Sequence, residues 1–224
     1  MFKKTSSKII ATALLAFGLT AAAQATLVSF TGGTVTQNSG STGVTNNAIN
    51  WDDVRSYQEA GYRFEFFGTD SAFSSNVGDF YEVGNDVLQG HWATGNFGYL
   101  TQIRLTRIDG GAFSLGSFDI VSNTDTGGGP ASGNEQVYIH ASANGISDDY
   151  AQLLASEDSD FPATSFGLGA PFDNVRAIWF DVSGTSDSFG VDNFLLQTVP
   201  EPGSLALFGA AAIGLVATRR RRPG

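Results

Sequence analysis

The sequence predicts an all-β domain, an antiparallel β-sandwich of jelly-roll-like character, with a helical address segment at each end. Three observations point there. Between its ends the chain consists of short apolar or alternating runs divided by Gly, Ser, Asn and Asp. No interior segment carries the apolar stripe of a long helix. Turn-forming clusters recur about every 10 to 20 residues, as a meander of strands requires. The length of 224 residues suits one domain with extensions.

Taken in order, residues 27–30 open the domain as a strand. Residues 31–50, rich in Gly, Ser, Thr and Asn, read as a loop. In 62–67 and 101–108 polar and apolar residues alternate, which puts one face on the core and one in water. Residues 113–121 form a further strand. Residues 123–134, with Gly127, Gly128, Gly129 and Pro130, form a loop. A strand at 136–141 follows, and 148–154 suggests one or two helical turns begun by Asp148 or Asp149. Residues 175–182 are more uniformly apolar and read as central. Residues 189–197 form the last strand.

Charge divides at the seams. Residues 1–25 hold Lys3, Lys4 and Lys8 and no acid, and residues 219–222 are all arginine. Between Thr26 and Val199 five arginines face 21 acids, a formal charge of −16 without a single lysine. No basic stripe exists for a polyanion, so nucleic acid is not an expected partner. The absence of Cys excludes disulfides, thiolate metal sites and a cysteine nucleophile.

The first 25 residues have a basic start, an uncharged apolar run and an Ala23-Gln24-Ala25 end. These are the parts of a secretory signal peptide cleaved after Ala25, and they imply the general secretion machinery. The other end reads Pro200-Glu201-Pro202, then an uncharged run over 204–218, then Arg219, Arg220, Arg221 and Arg222. A helix over that run is about 24 Å long, short of the roughly 30 Å hydrocarbon core. Terminal arginines extend its reach and place the end in the cytoplasm. The expected organisation is a signal peptide at 1–25, an exported domain at 26–198 and a tail at 199–224.

That tail resembles the PEP-CTERM sorting signal of Gram-negative bacteria: the Pro-Glu-Pro motif, an apolar helix and a basic stop, in that order. The resemblance implies an exosortase as partner, a transient inner-membrane anchor through the C-terminal helix, and delivery to the cell surface or the exopolysaccharide matrix of a biofilm. Separately, Phe189 to Leu196, with Asp192 and Asn193 ahead of the final apolar run, resembles the last strand of jelly-roll modules.

Catalytic chemistry is sparse. Only His91 and His140 exist, no G-x-S-x-G elbow occurs, and no H-E-x-x-H pair offers a zinc site. Structural calcium is the expected ion for an acidic exported domain, with Asp192 and Asn193 as candidate ligands. Trp51 and Trp92, outside the clear strands, are candidate platforms for polysaccharide. Trp179 lies in the central run and reads as core. The resulting expectation is a non-enzymatic surface or matrix protein that binds polysaccharide. The alternatives are a carbohydrate-active hydrolase, which needs only two placed carboxylates among the 21, or a purely structural matrix protein or adhesin.

Overall fold

The computed structural model describes residues 24–69, 75–82, 84–95, 98–125, 132–154 and 164–199. Strands β1 (Ala25–Val28), β6 (Ser75–Glu82), β7 (Asn85–His91), β9 (Phe113–Thr124), β12 (Thr164–Gly167) and β14 (Ser188–Thr198) form one sheet. Strands β2 (Thr34–Gln37), β3 (Thr42–Val44), β4 (Val54–Glu59), β5 (Tyr62–Gly68), β8 (Leu100–Arg107), β10 (Glu135–Ser142), β11 (Tyr150–Leu153) and β13 (Ala177–Gly184) form the other. All pairings between named strands are antiparallel. The smaller sheet runs β12-β9-β14-β7-β6, with β1 beside the far half of β14, and the larger runs β11-β10-β13-β8-β5-β4-β2-β3.

Alternation decides which side chains meet. Tyr62, Phe64 and Phe66 of β5 and Leu100, Ile103 and Leu105 of β8 are buried, while Arg63, Glu65 and Arg104 between them lie on the outer face. Opposite them the smaller sheet supplies Phe113, Leu115 and Phe118 from β9 and Phe189, Val191, Phe194 and Leu196 from β14. The centre is aromatic. The ring of Phe194 lies 5.1 Å from that of Phe64, 5.2 Å from Phe118, 5.9 Å from Phe30 and 6.1 Å from Phe180. With no disulfide available, this cluster carries the cohesion that a small domain can otherwise draw from covalent links.

Strand β14 reaches that arrangement through a bulge. Its register against β9 shifts between Asp192 and Leu195, and Asn193 sits at φ +54°. The extra residue resets the period of two, so Val191 and Phe194, three apart, both face the core.

Two expectations are corrected. The loop expected over 31–50 contains the β2–β3 hairpin, because Thr34, Val35 and Thr36 are β-branched and favour extended backbone even where composition looks polar. Gly40 at φ +86° makes its turn. The helical turns expected over 148–154 are instead strand β11, which gains a partner edge on β10, with Ala141 opposite Tyr150 and Tyr138 opposite Leu153. Strands β4, β6, β7 and β12 are additions to those expected.

Strand β1 begins where β14 ends. Ala25 lies opposite Gln197, and the Thr198 N–H donates to the Gln24 carbonyl at 3.1 Å. The expected signal helix and C-terminal transmembrane helix lie outside the described residues, as does Ala23; Ala25 is the first residue of β1. Among the described residues no helix is long and apolar enough to cross a membrane.

Candidate functional site

The Asp192-Asn193 pair is the bulge of β14 and ties three strands together. One carboxylate oxygen of Asp192 accepts the Asn193 N–H at 2.7 Å, and the other accepts the Asn85 amide of β7 at 2.9 Å. The Asn193 amide donates to Asp119 of β9 at 2.9 Å. Asp192 is buried. Each of its oxygens thus accepts a protein donor, an arrangement that holds the bulge. Among the described residues no group of three or more His, Asp or Glu side chains is placed to hold a metal ion.

The tryptophans divide differently from expectation. Trp92 is completely buried, its ring 6.1 Å from Phe189, so it presents no face to a sugar. Its flanking Gly, Ala and Thr read as loop, but its backbone N–H donates to the Asp187 carbonyl and it bridges to Leu100. Trp51 is half-buried; it pairs with Val77 through two backbone hydrogen bonds and lays its ring against Gly43, where any Cβ would come within 2.0 Å of the ring. Trp179 is inaccessible as expected, but on the outer face of the larger sheet, not in the core. It stacks on His140, with ring centroids 5.1 Å apart and planes within 5°, and Arg104 sits over it at 5.8 Å.

His140 is fixed at both ring nitrogens. Nδ1 lies 2.9 Å from Asp148 and Nε2 lies 3.1 Å from Asp181. Arg104 also donates to the Gly145 carbonyl. These bonds fasten the β10–β11 loop to the sheet. His91 is held below the usual histidine range by burial, an effect partly offset by Asp187. Neither histidine faces a hydroxyl nucleophile in the contacts described.

A polar cluster closes the sandwich beside Phe30. The Tyr57 hydroxyl donates to Glu59 at 2.8 Å and accepts the Gly33 N–H, while Asp86 accepts the Asn47 N–H at 2.8 Å. Burial pushes the Glu59 and Asp86 carboxyls above the usual carboxylate range, against the hydrogen bonds they accept, and burial also raises the Tyr57 phenol. An acid whose pKa is raised by folding stabilises the fold below its unfolded pKa, and that contribution is lost as pH rises through the folded value. Glu59→Gln is therefore expected to raise the melting temperature near neutral pH and to leave it unchanged in acid. A gain of equal size at both pH values would contradict this.

Large apolar groups reach water elsewhere. Phe67 is 42% exposed and Tyr99 45%, one on β5 and the other just ahead of the neighbouring β8, where the Thr69 N–H donates to the Tyr99 carbonyl. The chain neighbour Phe66 points inward, so the Phe67 ring stands on the outer face of the sheet, and Tyr99 is exposed just ahead of β8. The alternation of 62–67 holds this signal, although it singles out no sugar contact.

The β-domain runs to Val199, one residue short of Pro200; Pro200, Glu201, Pro202 and the four arginines lie outside the described residues. Residues 198–222 match the family model of the PEP-CTERM protein-sorting motif. The chain carries a PEP-CTERM sorting tail. A PEP-CTERM motif implies an exported protein handled by an exosortase. No curated protein matches the chain. Among solved structures, it is similar to the K1 cleaved adhesin domain of Lys-gingipain from Porphyromonas gingivalis W83, at 11% identity and a TM-score of 0.34, over 80% of this chain and 99% of that one.

Proposed function

We propose that this chain is a non-enzymatic surface or matrix protein of a Gram-negative bacterium, exported by its first 25 residues and held transiently in the inner membrane by its tail until an exosortase acts. The PEP-CTERM match at 198–222, which begins at the final residue of β14, carries the reading. Replacing Pro200, Glu201 and Pro202 by alanine is expected to leave all the protein in the inner-membrane fraction with its tail attached. Normal release of such a variant would sink the proposal.

Polysaccharide is the partner this reading favours, and exposed aromatic rings on an exported sheet support it. The contact belongs to Phe67 and Tyr99 and not to Trp92, since flat apolar rings bind sugars only where a face is free. Phe67→Ala with Tyr99→Ala is expected to weaken retention on the producer's own polysaccharide at least about tenfold; unchanged retention would remove these rings as platforms. The hydrolase alternative requires a spaced carboxylate pair in a cleft, and the two carboxyls raised by burial, Glu59 and Asp86, are packed among Tyr57, Thr31 and Asn47.

A further inference from the structure

The end of the leader offers two bonds to a signal peptidase, which requires small residues one and three places ahead of the bond it cuts. Ala21 and Ala23 qualify the Ala23–Gln24 bond, while Ala23 and Ala25 qualify the Ala25–Thr26 bond. The leader alone does not choose between them. The residues between the two bonds, Gln24 and Ala25, do so through what they hold in the domain.

Ala25 is already in the ladder of β1, opposite Gln197, and is followed by Thr26 opposite Leu196 and Val28 opposite Phe194. Val28 is fully buried, so the strand is pinned to the core at its far end. Gln24 extends the pairing by one more residue. Its N–H donates to the Thr198 hydroxyl oxygen at 3.2 Å, and its carbonyl accepts the Thr198 N–H at 3.1 Å. Thr198 is the last residue of β14 and the first of the sorting match. A cut after Ala25 removes both of these bonds and takes Ala25 from the ladder. A cut after Ala23 leaves all of them in place.

Backbone held in a ladder also resists proteases, because a substrate strand must leave its own partners before it can lie in a protease cleft. The Ala25–Thr26 bond lies inside β1 and can be cut only while that end of the strand is unpaired. The Ala23–Gln24 bond lies ahead of the strand, and Gln24 is exposed. Pairing of β1 with β14 therefore protects one bond and does not reach the other. Hydrolysis at Ala23 adds water across the amide: Ala23 departs with a carboxylate, and Gln24 gains an α-ammonium in place of the N–H that faces Thr198. A charged donor strengthens that bond.

We propose that signal peptidase cuts between Ala23 and Gln24, and that the freed terminus becomes the end of β1, docked on Thr198 at the root of the sorting tail. The proposal rests on the reading of the first residues as an export leader. Lys3, Lys4 and Lys8 are the only lysines of the chain, so a chain cut at either bond has a single primary amine, its own N-terminus. The full chain is expressed with its leader in a Gram-negative host, labelled with an amine-reactive reagent after export, and read by peptide mass spectrometry. The expected label is on Gln24. Gln24 closed to its lactam, its α-amine having displaced ammonia from its own side-chain amide, supports the proposal equally. A label on Thr26 overturns the proposal and leaves the export reading standing. Labelled lysines in place of either terminus mean an uncut leader, which overturns the proposal and the cleavable-leader reading together. A matched pair of variants is the second test. Ala21→Gln spoils only the first bond and is expected to lower the yield of Gln24 termini at least about tenfold, whereas Ala25→Gln spoils only the second and leaves that yield unchanged. The opposite pattern, or equal yields from the two variants, overturns the proposal.

Discussion

Phe194→Ala is expected to cost about 3–5 kcal/mol, the range for deleting a buried ring that its neighbours cannot collapse around. Phe194 touches rings from both sheets, Phe118 on its own side and Phe64, Phe180 and the preceding Phe30 across the core. Each aromatic pair contributes beyond its buried area, and removing one ring weakens four such pairs at once. A domain has only about 5–15 kcal/mol in total, so the variant stands near the unfolding threshold. Urea unfolding followed by tryptophan fluorescence measures it. A loss below about 1 kcal/mol would mean that Phe194 is not the centre of the core.

The second large effect is expected at Gly184, which ends β13. Its φ is +83°, and a Cβ there would stand 2.2 Å from the Asn134 carbonyl oxygen, a backbone atom that cannot swing aside. Gly184→Ala therefore combines about 1–2 kcal/mol for an L-residue in the left-handed region with about 1–3 kcal/mol for the clash, near 3 kcal/mol together. Gly110 provides the comparison, with φ +72° and open space where its Cβ would be. Gly110→Ala is expected to cost only the conformational part, about 1–2 kcal/mol. Equal melting temperatures for the two variants would refute the steric account.

Strands whose own residues carry the period are legible from the sequence alone. In β5, and at Ile103 to Leu105 of β8, alternation assigns the inward and outward residues, and the uniformly apolar 175–182 run does lie inside its sheet, flanked by β10 and β8. Features that escape such reading depend on partners distant in sequence. Trp92 is buried because Asp187 and Leu100 close on it, and nothing in its own neighbourhood announces that. The polar cluster at Tyr57 and Glu59 gathers Gly33, Thr45 and Ser29, which no local pattern joins. The Asp192-Asn193 bulge does leave a trace: Val191 and Phe194 are three apart in a strand where inward positions should be two apart. The sorting motif is legible in full, because it is a linear signal and needs no fold to bring it together.

Strand β14 also decides how the molecule bears load. It is the strand that adjoins the sorting motif, and β9 pairs with it along one side while β7 and β1 share the other. A pull applied at Thr198 along this strand's axis shears the ladders on both flanks together, and no edge can unzip one bond at a time. Such a force would thus be met by the most fully bonded strand of its sheet.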